Sequence, residues 1–187
     1  MINLTFFYYS IFAHLIGDFV LQTDKIASLK ASNTKGVLIH STIVTATQIC
    51  ILGFFGVHGA IVGLIAGIIH FFIDYMKKFL NKYFVNCQSV FFVIDQFVHI
   101  AVLLVLTTFI LPSLSFSDSY LGYILLLSDI IIMGYVLTVF AKIILRDMDK
   151  KLGKESFFKN HERIIDALIS CILYVIWFIP WNLNFMI

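Results

Sequence analysis

Charged residues are scarce in this sequence. Only 13% of its 187 residues are Asp, Glu, Lys or Arg, whereas 60% are apolar, and the mean hydropathy is +0.98. A soluble domain of this size cannot bury so much apolar surface, so the composition excludes a soluble globular protein and requires lipid around the chain. The net charge of +2 is small, and its positive members are grouped, which fits anionic headgroups better than nucleic acid. We expect membrane lipid as a partner and no nucleic acid.

Several motifs are also missing. The three cysteines form no CxxC pair, so redox chemistry is not expected. No glycine-rich loop of the soluble nucleotide-binding type is present. The two prolines, Pro112 and Pro180, stand at predicted helix ends, so we expect no proline-broken spans of the transporter type. The first apolar run has neither a basic leader nor a small-residue cleavage site, and we expect it to be retained as a span.

Six apolar windows are long enough to cross a bilayer, which takes roughly 20 residues per helix. They cover about residues 4–22, 37–56, 58–76, 89–111, 120–145 and 164–184. The sequence therefore predicts an all-α fold: one integral membrane domain over residues 1–187, built as a polytopic bundle of about six transmembrane helices.

The basic residues predict how these helices are oriented. All Lys and Arg residues fall in or beside residues 22–36, 77–88 and 142–163, and the turns between these stretches have none. Lys and Arg near helix ends are retained in the cytoplasm. We therefore expect these three loops to be cytoplasmic and both termini to be extracytoplasmic.

Glycines at positions 59, 63 and 67 repeat at four-residue spacing on the third predicted span. Such a row of small residues lets a neighbouring helix approach closely. We interpret it as tight packing within the chain; a homodimer face is the alternative.

Three His–Asp pairs carry the main functional signal. His14–Asp18, His70–Asp74 and Asp95–His99 are each four residues apart, so the members of a pair share one helical face. His40 adds a fourth imidazole. All seven residues lie toward the helix ends that meet the first two basic loops. Unpaired charge is costly at this depth, so we expect these side chains to meet in one cluster.

Neutral imidazole and carboxylate together suit Zn, Mn, Fe or Co. We predict one or two such ions, and two adjacent ions could polarise a phosphoryl or acyl oxygen from both sides. The candidate metal ligands are His14, Asp18, His40, His70, Asp74, Asp95 and His99.

Other polar residues extend this prediction. Asp18, Asp74 and Asp95 are also candidates for a general base, and Gln22 and Gln96 for binding substrate. A hydrogen-bonded network that only holds helices together is the structural alternative. Asp129 and Glu162 stay outside the predicted site.

Four motifs resemble one family. They are HLIGDFVLQTDKIA at 14–27, His40, HFFIDYMK at 70–77 and DQFVH at 95–99. Together they resemble bacterial integral membrane proteins classed as domain of unknown function 3307, over roughly the first 110 residues. The resemblance implies a multi-pass protein of the bacterial cytoplasmic (inner) membrane and brings no established activity. Near the last helix, Gly153 and Glu162–Arg163 look like a remnant of a further family motif, with Asn160–His161 in place of its apolar residues. The site is also similar to that of membrane-bound metal-dependent hydrolases.

Two functions compete on this evidence. The first is a membrane-embedded, metal-dependent hydrolase that opens to the cytoplasmic leaflet and acts on a lipid-linked or amphiphilic phosphate or ester. The second is a membrane transporter, or a solute- or metal-binding membrane subunit, that uses the same cluster. A transporter needs polar groups through both leaflets, and the other halves of these spans are nearly all apolar, so the sequence favours the hydrolase.

Overall fold

In the computed structural model, residues 4–80, 83, 87–110 and 120–151 are described, and every regular element among them is helical. Four continuous helices are long and apolar enough to span a membrane: Thr34–Phe55, Val57–Leu80, Gln88–Phe109 and Leu121–Met148. A fifth candidate is a bent pair, Leu4–Val20 with Asp24–Ser32. The all-α membrane fold is therefore confirmed. Five of the six predicted windows coincide with these helices, and window 164–184 lies outside the described residues.

The first span bends sharply without a proline. Helix α1 (Leu4–Leu15) continues as a π-helical turn, Ile16–Val20, and the chain then turns by 88° into α2 (Asp24–Ser32). The Thr23 side chain caps α2 by accepting a hydrogen bond from the Ile26 amide. As a result, α2 packs against α3 instead of continuing the first span.

The tightest helix pair is α3 (Thr34–Leu52) with α4 (Val57–Leu80), joined by a short 3₁₀ turn, Gly53–Phe55. Gly56 permits the reversal because its φ is +89°. The predicted glycine row faces α3: a Cβ on Gly59 or Gly63 would collide with α3 backbone, and one on Gly67 with the Thr45 side chain. The row thus serves packing within the chain.

Three more helices complete the described bundle: α5 (Gln88–Ile110), α6 (Leu121–Ile131) and α7 (Leu137–Lys151), with a second π turn, Ile132–Val136, between the last two. Helix α5 packs against α1, α4 and α7. Asp147 of α7 ties the start of α5, because its carboxylate accepts two hydrogen bonds of 2.8 Å from the Ser89 amide and hydroxyl.

An apolar core lies next to the predicted site. Phe6, Leu52, Val62, Ala66, Leu103 and Leu106 form one buried cluster. Each of these residues lies within about three and a half helical turns of the polar-site histidine on its own helix. All of them lie on the side of that histidine away from the basic loops. The buried charged and imidazole side chains are thus gathered at one end of the bundle, and the core beyond them is mainly apolar apart from Ser10, Gln48 and Thr107.

Candidate metal centre

The seven predicted residues are brought together by four helices. We call them the polar cluster: His14, Asp18, His40, His70, Asp74, Asp95 and His99. All are buried, with exposures from 0% for His40 to 6% for Asp18 and Asp95. Helix α1 and its π turn supply two of these residues, α3 one, and α4 and α5 two each. The seven side chains lie together, as expected from the sequence. Their chemical roles remain a prediction.

The centre of the polar cluster is a contact between two imidazoles and two carboxylates. His40 Nε2 lies 2.8 Å from Asp18 Oδ1 and 3.3 Å from His70 Nε2. Asp74 Oδ2 lies 3.1 Å from His70 Nε2 and 3.5 Å from His40 Nε2. Because the two Nε2 atoms face each other between carboxylate oxygens, at least one of these nitrogens must carry a proton or bind a cation.

The Asp18 position depends on the π turn. The Leu21 amide donates to the Ile16 carbonyl at 2.9 Å, which is the five-residue bond of a π-helix. Such turns insert one extra residue into a helical turn and frequently occur at functional sites. The sequence contains no clear signal for this turn.

A second part of the polar cluster is formed by His99 and His14. His99 Nδ1 lies 2.8 Å from the Asp95 backbone carbonyl, and a carbonyl only accepts, so Nδ1 carries the proton. In the neutral ring, Nε2 therefore has a free lone pair. That buried atom has no hydrogen-bond partner among the described residues. The His14 ring stacks on His99 with centroids 5.1 Å apart, and its Nε2 is 3.8 Å from Asp18.

Two lysines complete the site, and sequence reasoning placed both merely in basic loops. Lys30 Nζ lies 2.7 Å from Asp74 Oδ2 and 3.9 Å from Asp18 Oδ1. Lys77 Nζ lies 2.5 Å from Asp95 Oδ2. The sequence could have predicted that Lys77 belongs to the site, because residues 70, 74 and 77 fall on one helical face. The sequence could not have predicted the same for Lys30, because its contacts depend on the bend before α2.

The two predicted glutamines differ in their contacts. Gln96 Nε2 is 3.5 Å from Asp18 Oδ2 and 3.2 Å from Asp95 Oδ2, so it bridges two carboxylates. Gln22 contributes to the wall of a neighbouring cavity, and its buried Oε1 has no hydrogen-bond partner in the described part of the chain. Asp129 is exposed on α6, away from the polar cluster. Glu162, Arg163 and the other residues of that predicted remnant lie outside the described residues.

Two groups of three side chains have the spacing of metal ligands. They are Asp18, His40 and His70, and His70, Asp74 and His99; within each, the ligand atoms all lie within 4.8 Å of one another. Both groups share His70. His14 and Asp95 belong to neither group, so the structure brings all seven residues together but gives only five of them this spacing. These buried groups could hold a metal ion.

A cavity of about 760 Å³ adjoins the polar cluster. We call it the basic cavity after three of the lysines that line it, Lys30, Lys77 and Lys78. Asp18, Asp74 and Asp95 line it as well. Apolar residues of three helices and of the first π turn form part of its wall: Phe19, Phe79, Phe92, Val139 and Ile143. Its volume is in the range of small-molecule binding sites.

The comparisons with known proteins give one match. Neither the curated proteins nor the solved structures include a protein that matches the chain. The family described as "Protein of unknown function (DUF3307)" matches residues 6–127, a range that includes every member of the polar cluster and the two lysines paired with Asp74 and Asp95. The chain belongs to the DUF3307 family.

Proposed function

We propose that the polar cluster is a divalent-metal centre of a membrane-embedded hydrolase that cleaves a lipid-linked or amphiphilic phosphate or ester. The observation that carries this proposal is the spacing of Asp18 Oδ1, His40 Nε2 and His70 Nε2, which are 2.8, 3.3 and 3.8 Å apart. Three donors bound tetrahedrally at about 2.0–2.2 Å from one ion would be roughly 3.3–3.6 Å apart. The three atoms therefore need to move only by tenths of an ångström to hold an ion.

The surroundings of these ligands support a reactive centre over a closed structural one. Structural zinc sites have four protein ligands, whereas catalytic sites have three and an open position. Asp18 and Asp74 both line the basic cavity, so a molecule in the cavity can reach the metal-binding group. A divalent ion there would polarise a phosphoryl or acyl oxygen and activate water.

The chain's own residues supply the other roles. Asp74, beside His70 and open to the cavity, is positioned to accept a proton from the attacking water. Lys30 lies against Asp74 and places a positive charge where a leaving oxygen develops negative charge. Gln96, which bridges Asp18 and Asp95, holds both carboxylates in place, and Gln22 is available to orient the substrate.

The transporter alternative is less well supported. Transport requires a polar route on both sides of the polar cluster. Beyond it, the described helices contain the apolar core of Phe6, Leu52, Val62 and their neighbours. Buried Ser10, Gln48 and Thr107 are the polar side chains near this core. The cavity next to His14, His70 and His99 has only about 10 Å³ of space, enough for one water molecule, and the cavity of about 300 Å³ between α4 and α5 has an entirely apolar lining. The predicted positive-inside orientation directs the basic cavity toward the cytoplasmic leaflet of the bacterial inner membrane.

The experiment compares metal content and turnover in matched variants. Elemental analysis of protein purified in detergent should give about one divalent transition metal per chain, and His40→Ala and His70→Ala should each lose most of it. His58→Ala is the control, because His58 is exposed at the start of α4 and is not a member of the polar cluster. Equal metal content in all four proteins would contradict the metal assignment.

Turnover tests the reaction separately. Asp74→Asn should abolish cleavage of an amphiphilic phosphate or ester. Because this change also removes a partner of Lys30, folding of the variant is checked by gel filtration in detergent. Asp24→Asn, which changes an exposed carboxylate on α2, should leave cleavage unchanged. Metal binding with solute flux in proteoliposomes and no cleavage would favour the transporter.

A further inference from the structure

The charges around the basic cavity balance before any metal binds. Its lining contains three carboxylates, Asp18, Asp74 and Asp95, and three ammonium groups, Lys30, Lys77 and Lys78. With neutral imidazoles the sum is zero. One divalent ion would leave two surplus positive charges at a site where Asp18 and Asp74 are buried. Uncompensated charge is costly there, so a ligand of the metal-loaded site should bring about two negative charges.

One of the three lysines has no carboxylate partner among the described residues. Lys30 and Lys77 are paired with Asp74 and Asp95. Lys78 Nζ donates a hydrogen bond of 3.4 Å to the Thr34 hydroxyl. Its ammonium group is therefore available to an anion, and Thr34, which also lines the basic cavity, adds a hydroxyl donor.

Part of the cavity lining suits an alkyl chain. Phe19, Phe92, Val139 and Ile143 line the same cavity, and each buried CH₂ group contributes about 0.8 kcal/mol, which is close to a fourfold gain in affinity. A ligand with an anionic head and an apolar chain therefore suits both the lysines and the apolar residues of the lining, whereas free inorganic phosphate suits only the lysines.

We propose that the basic cavity binds an amphiphile through a dianionic phosphoryl headgroup, and that Lys78 is the residue that recognises this headgroup. The inference rests on the proposed metal centre and narrows its substrate from a phosphate or an ester to a phosphate monoester. A neutral carboxylic ester leaves both the surplus charge and Lys78 without a counter-charge. A phosphate monoester carries about −1.5 to −2 charges at pH 7, which matches the surplus.

The test uses a probe that the protein cannot cleave. Binding of hexylphosphonate, whose C–P bond is not an ester, is measured by calorimetry at pH 8 with protein loaded with one equivalent of Co²⁺. Inorganic phosphate and the neutral ester mimic 2-octanone are the comparison ligands. Lys78→Ala is compared with Lys78→Arg, which keeps the charge, and with Lys25→Ala, an exposed lysine that does not line the cavity.

We expect hexylphosphonate to bind at least tenfold more tightly than either comparison ligand. Loss of a charged hydrogen bond predicts that Lys78→Ala weakens it by roughly tenfold or more, that Lys78→Arg retains most of the affinity, and that Lys25→Ala has no effect. Equal binding of phosphonate and 2-octanone, or equal binding by the parent and Lys78→Ala, would overturn the inference. Co²⁺ retention, measured in the same samples, tests the metal centre separately.

Discussion

Replacing Lys30 with Met should change two properties in opposite directions. It should lower the stability of the metal-free protein and raise the affinity of the protein for a metal ion. The Lys30 side chain is 18% exposed and that of Asp74 is 1% exposed, with their charged atoms 2.7 Å apart. Removing one member of a buried pair leaves an uncompensated charge and typically costs about 3–5 kcal/mol. Lys30→Met should therefore destabilise the metal-free protein by about 3 kcal/mol, since methionine keeps most of the apolar contacts of the lysine stem.

The same change should strengthen metal binding. Lys30 Nζ is 3.9 Å from Asp18 Oδ1, so an ion bound to that oxygen would lie on the order of 4–6 Å from the ammonium group. Two unit charges 4 Å apart repel by about 1 kcal/mol in water and about 4 kcal/mol at an effective dielectric constant of 20. Even the weaker value, doubled for a divalent ion, predicts at least a tenfold gain in metal affinity when the ammonium group is removed.

The assay measures unfolding in detergent with chelator and with Co²⁺, together with Co²⁺ affinity by competition with a chromophoric chelator. Ligand at 100 times its dissociation constant stabilises a protein by about 2.7 kcal/mol, so Co²⁺ should restore most of the stability lost in Lys30→Met. Lys25→Met, on the exposed side of the same helix, should change neither quantity. An unchanged or lower Co²⁺ affinity in Lys30→Met would refute the placement of the ion beside Asp18.

Three further predictions concern the scaffold and its orientation. Gly63→Ala should destabilise the protein by about 1–3 kcal/mol, because the added Cβ meets the α3 backbone. The control is Gly122→Ala, whose added Cβ enters open space on α6 and should be neutral or slightly stabilising. Thermal unfolding compares the two variants. Asp147→Ala should cost about 1 kcal/mol through loss of the cap on the first turn of α5, and an unfolding midpoint equal to that of the parent would contradict this role. In a cysteine-free background, a membrane-impermeant thiol reagent added to intact cells should label Cys at position 58 and not at position 35; the reverse pattern would invert the predicted topology.

Much of this architecture is predictable from the sequence, because lipid imposes simple rules. Windows of about 20 apolar residues predict spans, and the five windows that fall within the described residues coincide with helices. The four-residue spacing of His14–Asp18 and His70–Asp74 places each pair on one face, and the high cost of buried charge predicts that such faces meet.

Features that depend on bends and on contacts between distant segments escape this reasoning. Lys30 belongs to the first basic loop in sequence, yet the 88° turn before α2 brings its ammonium group between Asp18 and Asp74. Similarly, His14 and Asp95 have the same residue types and spacing as the other ligand candidates. Only the three-dimensional arrangement distinguishes them, because His14 and Asp95 fall outside the two groups whose ligand atoms lie within 4.8 Å of one another.

The central claim is that a divalent ion binds to Asp18, His40 and His70. X-ray absorption of the Co²⁺-loaded protein at the cobalt edge tests it most directly, because the spectrum reports the ligand atoms and their number. The account predicts four or five ligands, with two imidazole nitrogens and at least one carboxylate oxygen at about 2.0–2.2 Å. A spectrum of six oxygen ligands without imidazole scattering, or loss of all cobalt on gel filtration, would contradict it.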